Sequence, residues 1–161
     1  MRKVLIAVAM VAATACSSSS KSSAPAGAPA SNAPAGSANL NAAGGALAPK
    51  AAVENFLAAV KNQDLQAMSM IWGNEKGLAR DQFSRDELEK RLVIMQCNLN
   101  HDSWTYATGL DGTTRAGEQD LRIELRQKNL REQTMVTTVR GPTGRWYVKN
   151  VDLTKLGPFC R

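Results

Sequence analysis

The sequence predicts an α+β domain, with helices first and an antiparallel sheet after them. Two observations predict it. Apolar residues recur at helical spacing from Val53 to Met95, and from Trp104 onward they alternate with polar ones. Turn-forming residues punctuate the second half and leave the strands short hairpin connections.

The first helix opens just after Pro49, a residue suited to a helix start. Val53, Phe56, Leu57 and Val60 fall at i, i+3, i+4 and i+7, which makes one apolar face. Asp64 is placed to cap a second helix carrying Leu65, Met68, Ile71 and Trp72, ending near Gly73. Ser84 and Glu87 form a Ser-x-x-Glu capping box for a third, with Leu88, Leu92 and Met95 on one side. Trp104, Tyr106 and Thr108 alternate in a first strand. Leu121, Ile123 and Leu125 alternate with Arg122, Glu124 and Arg126 in a second. Lys128-Asn129 turns into a third strand over Leu130–Arg140. Gly141-Pro142-Thr143-Gly144 then turns into a fourth, from Trp146 to Leu153.

The order of elements, with Ala51-x-Val53-x-x-Phe56-Leu57, Asp64-Leu65-x-Ala67-Met68 and the closing Gly-Arg-Trp-Tyr-Val, resembles the nuclear transport factor two-like superfamily. The similarity is to its small, secreted, cystatin-like (SnoaL-like) lipoprotein members and covers roughly residues 49 to 155. For the three N-terminal helices and four strands read above, the resemblance implies a strongly curved sheet wrapped around a long helix, leaving a cone-shaped cavity. It implies little about activity, because the fold hosts isomerases, dehydratases, cyclases and plain binding modules.

The N-terminus carries an address. Met1-Arg2-Lys3 precedes an apolar run from Val4 to Ala13, followed by Thr14-Ala15-Cys16. A basic head, an apolar core of about ten residues and small residues before a cleavage point make a secretory signal. The run falls short of the roughly 20 residues a membrane-spanning helix needs. Ala13-Thr14-Ala15-Cys16 resembles a lipobox, in which the cysteine is acylated and the chain cut before it, although Leu is usual where Ala13 stands. The mature chain is then expected to hang from a membrane by acyl chains on Cys16, palmitate among them, without spanning it. Ser17 occupies the place where Asp marks inner-membrane retention in Gram-negative cells. The expected location is thus extracytoplasmic, and the outer membrane if the cell is Gram-negative.

Residues 1–15 are accordingly read as signal peptide and 16–48 as a tether of Ser, Ala, Pro, Gly and Asn, with 49–161 the domain. The tether buries too little apolar surface to offset its chain entropy and is expected to remain disordered. The formal charge of +6 falls to +3 once Arg2, Lys3 and Lys21 are removed. That remainder gives no basis for nucleic-acid binding.

Of three cysteines, lipidation takes Cys16 and leaves Cys97 and Cys160. An oxidising compartment makes that pair a candidate disulfide, with two free thiols as the alternative. A single histidine supplies too few ligands for a metal pair, and no cofactor motif is read. His101 and Tyr106 are the candidates for acid–base chemistry. Asp102, adjacent to His101, should point the other way, and a helix–strand junction is a common place for a solvated histidine. Trp72, Trp104 and Trp146 are candidates for lining a ligand pocket or for filling the core. Arg122, Arg126, Lys128 and Arg131 could face an anionic glycan or lipid headgroup, with Glu124 and Glu132 weakening the field.

Three functions remain open on these residues: a non-catalytic envelope binding module for an unknown small molecule, an isomerase- or dehydratase-type enzyme, and a homodimer through the outward sheet face. Converging polar groups in a cavity would mark the enzyme, and an exposed apolar sheet face the dimer.

Overall fold

The computed structural model describes residues 44–107 and 114–161. The expected signal peptide, Cys16, most of the expected tether and Thr108 of the first expected strand lie outside them.

The molecule is α+β with an antiparallel sheet. Helix α1 spans Pro49–Lys61 and α2 Leu65–Ser69. A small hairpin, β1 (Gly73–Asn74) and β2 (Gly77–Leu78), and a 3-10 turn at Ala79–Asp81 precede α3, Arg85–Asn98. The main sheet contains β3 (Ser103–Tyr106), β5 (Glu118–Gln127), β6 (Leu130–Arg140) and β7 (Trp146–Val151) in that spatial order. A two-residue β4, Thr114–Arg115, pairs with the start of β5. A 3-10 turn at Gly157–Cys160 closes the chain.

Strand register sorts the side chains into two faces. Leu125 lies opposite Trp104, Ile123 opposite Tyr106 and Thr134, and Leu121 opposite Val136, so these residues share the inner face. Helix α1 covers that face. Its residues Val53, Phe56, Leu57 and Val60 are buried, and they join Leu121, Ile123, Leu125, Val136 and Val148 in one core. Burying a side chain of this size contributes about 1.5–3 kcal/mol. Helix α3 packs instead against α2 and the C-terminal turn. It buries only Leu92 and Met95 and leaves Val93 and Ile94 about half exposed.

The caps follow the sequence. Asp64 accepts a hydrogen bond from the Ala67 N–H at 2.9 Å, and Ser84 accepts one from the Glu87 N–H at 3.4 Å. The carboxylate of Glu87 does not turn back to complete the box. It accepts from Arg91 Nε at 2.7 Å, one helical turn on.

Three boundaries differ from expectation. The second helix stops at Ser69, not near Gly73, because the chain leaves it to join the sheet edge. The Ile71 carbonyl accepts from the Val148 N–H at 3.0 Å, and Trp72 bridges Val148 in parallel. The last strand ends at Val151 rather than Leu153. Residues 44–48, assigned to the tether, belong to the folded body: Ala46 is 4% exposed and bridges Trp146. Gly45 makes this entry feasible. Its φ is +70°, and a β-carbon there would stand 2.6 Å from the Tyr147 ring.

Cys97, in the last turn of α3, and Cys160, in the C-terminal turn, are joined as a disulfide with α-carbons 4.7 Å apart. That spacing lies within the range such bonds need. The bonded tail inserts Leu156 and Phe159 into the core, both at most 1% exposed.

Candidate functional site

His101 lies between α3 and β3 and is 4% exposed, not solvated as a junction histidine usually is. Its Nδ1 is 2.8 Å from the Leu99 carbonyl. Because a carbonyl oxygen only accepts, Nδ1 carries the proton. Burial, the largest influence, pushes the imidazole pKa below its ordinary value; the Leu99 bond raises it, Lys61 lowers it and Asp102 raises it. Asp102 points elsewhere, accepting the Lys128 N–H on Oδ2 at 2.8 Å while its carbonyl accepts from Lys61 Nζ at 2.9 Å.

Tyr106 faces α1. Its hydroxyl donates toward the Lys50 carbonyl at 3.2 Å and the Glu54 carboxylate at 3.4 Å, and the Lys50 ammonium sits 5.4 Å from the ring centre. Burial, with the negative charge of Glu54, holds its pKa well above the ordinary phenol range. Four residues, 102–105, lie between it and His101, so the chain holds the two apart by up to roughly 16 Å. The structure gives them no common partner and leaves each engaged with its own neighbours.

The three tryptophans occupy separate places. Trp104 meets Tyr106 edge-to-face with ring centres 5.1 Å apart on β3. Trp146 lies three strands away on β7, with β5 and β6 between. Trp72 stacks on Phe83 at 5.8 Å, and the Arg91 guanidinium covers the Phe83 ring at 4.7 Å. Trp72 also lines an open groove of about 290 Å³ with Ile94, Met95, Lys149 and Leu153.

A larger open groove of about 740 Å³ lies between α2, the Ala79–Asp81 turn and α3. Leu65, Leu88 and Leu92 form its apolar part, and Gln66, Arg80, Asp81, Arg85 and Glu89 its polar part. No single residue in the sequence marks this groove. It arises where a five-residue helix and the following hairpin leave α3 only partly covered.

On β5 and the start of β6 the outward sheet face is polar, whereas toward β7 its Val139 and Tyr147 are buried against Leu78. Arg126 and Arg131 both contact Glu124 at 2.8–3.0 Å, and Gln133 donates to its other oxygen at 3.4 Å. The two guanidiniums draw the Glu124 pKa down to about 2. Arg122 lines a small groove with Asp152 and Lys155. Lys149 is the extra residue of a bulge in β7, and it pairs with Glu75 of the β1–β2 turn and with Glu118 of β5.

No cluster of three or more metal-ligating side chains occurs among the described residues. Comparison with protein families, with characterised proteins and with solved structures gives no match.

Proposed function

We propose that the chain is a lipid-anchored envelope protein whose domain is a non-catalytic binding or interaction module, its ligand or partner undefined. The anchor is Cys16, acylated after cleavage of residues 1–15, and the domain hangs from it on the Ser/Ala/Pro/Gly spacer. We place its fold with the nuclear transport factor two-like proteins, as three helices on a curved, cone-shaped sheet. Support for that shape comes from α1, which contacts β6 and β7 and also holds Tyr106 of β3, and from the Lys149 bulge, a feature that bends strands.

One observation carries the binding reading. The two residues fit for acid–base work are tied into the fold, while the concave surfaces open outward between helices. A catalytic site needs a base and a second polar group converging where substrate sits. A module needs only an exposed groove with apolar and polar lining, which α2 and α3 supply. A dimer through the outward sheet face is not proposed, since Arg122, Glu124, Arg126, Arg131 and Gln133 make its β5 side polar and its apolar Val139 and Tyr147 are already covered by Leu78.

The test has two arms. In detergent phase separation the wild-type chain enters the detergent phase and Cys16→Ser stays aqueous or unprocessed; equal partitioning of the two contradicts the anchor. The double variant His101→Gln/Tyr106→Phe, if folded, restores wild-type envelope behaviour to cells lacking the chain. Failure of the folded variant in cells held at neutral pH would move the function to an enzyme.

A further inference from the structure

His101 is the only histidine in the sequence. Its Nε2 is the only buried side-chain nitrogen or oxygen among the described residues with no hydrogen-bond partner in the protein. Such groups are rare enough in folded proteins that each calls for an explanation. With Nδ1–H given to the Leu99 carbonyl, Nε2 presents a lone pair. The neutral ring is tolerated there. A second proton would add both a charge and a donor with nothing to receive it.

The position matters as much as the burial. Immediately after His101, Asp102 gathers three elements. Its N–H donates to the Arg126 carbonyl at 2.8 Å, its carboxylate accepts the Lys128 N–H, and its carbonyl accepts Lys61 Nζ from the end of α1. Two residues before His101, Leu99 ends α3 and is fully buried. The imidazole therefore sits inside a joint between α1, α3, β3 and the β5–β6 turn. Of the charged groups acting on it, Lys61 opposes protonation and Asp102 favours it. Asp102 cannot turn to the ring without giving up the Lys128 N–H.

We infer that His101 is an acid-sensitive latch: neutral, it lets the joint between α3 and the sheet close, and protonated, it drives that joint open. The residue is then neither a catalyst nor a ligand. It makes the local stability of this corner respond to the acidity around the protein, wherever the chain is anchored, so the inference does not depend on the binding reading.

The pH window follows from the sequence. With Cys97 and Cys160 bonded, no other side chain of the domain ordinarily changes charge between pH 5 and 7. Because burial depresses the folded pKa, the closed joint keeps its full stability above about pH 6.5. It loses stability as pH falls from there toward the folded pKa. With the ring protonated only in the open form, the closed-to-open ratio falls about tenfold per pH unit in that window.

The test uses the untagged mature chain, so that one histidine gives one imidazole signal. Proton NMR from pH 7.5 to 4.5 should show that signal titrating below the ordinary 6.5. Amide exchange, corrected for its intrinsic pH dependence, should show protection at Asp102 and Lys128 falling up to about tenfold per unit below pH 6.5. Phe56 in α1 should keep its protection, and His101→Gln should make the Asp102 and Lys128 profiles flat. An imidazole titrating near 6.5 with unchanged protection overturns the latch. So does a parallel fall at Phe56, or the same slope in His101→Gln. Should that variant fail to fold, the wild-type titration and the contrast with Phe56 decide.

Discussion

Arg126 and Arg131 lie directly opposite each other on adjacent strands, and both donate to the same oxygen of Glu124. Like charges in that register repel. The carboxylate between them turns a repulsive pair into a three-residue clamp. It also explains why Glu124, at 6% exposed, is tolerated on the outward face.

Glu124→Gln should therefore destabilise the domain at neutral pH, because two guanidiniums then face each other without a counter-charge. The wild-type clamp is intact above the ordinary carboxylate range and is lost as pH falls toward about 2. Denaturant midpoints measured from pH 5 to 2 should show less acid sensitivity in the variant. Identical slopes would remove the clamp from the stability of the fold.

The disulfide should contribute up to about 4 kcal/mol, from the chain entropy of a closed loop with a sequence separation of 63 residues. Strain subtracts from that figure. Thermal melts with and without reductant, and of Cys97→Ser/Cys160→Ser, should agree in showing a lower midpoint. An unchanged midpoint means that the bond adds nothing.

The tail should matter through packing as well. Phe159 is 1% exposed among core residues, so Phe159→Ala should cost about 3–5 kcal/mol. Ile94→Ser, on the exposed side of α3, should stay within about 0.5 kcal/mol. Equal losses in urea titrations would contradict the placement of the tail.

Tyr106→Phe should cost about 1 kcal/mol by removing the hydroxyl bonds to Lys50 and Glu54 while keeping the ring against Trp104. A folded variant with normal stability and lost function would make the hydroxyl functional rather than structural.

Much of the sheet is legible in the residues because strand period and burial coincide. Leu121, Ile123 and Leu125 alternate in sequence and pack inward in space, and Lys128-Asn129 makes the turn it suggests. The α1 face is equally plain at Val53, Phe56, Leu57 and Val60. The second helix is not, because Ile71 and Trp72 fit its period but gain more by bonding along β7. The β1–β2 hairpin has two residues per strand, too few to show any period. His101 is illegible for another reason: its burial depends on how α3 meets the sheet, and a lone polar residue between two periodic segments carries no trace of that. The Glu124 clamp is readable only as mixed charges on one face until register sets Arg126 against Arg131.

The central proposal is a domain hung outside the cytoplasm from an acylated cysteine, and the mature N-terminus tests it most directly. Mass spectrometry of the N-terminal peptide from membranes of the producing cell should find a chain beginning at Cys16 with a diacylglyceryl group on its sulfur. A chain that retains Met1, or begins at Cys16 with a free thiol, or begins at another residue, would contradict it.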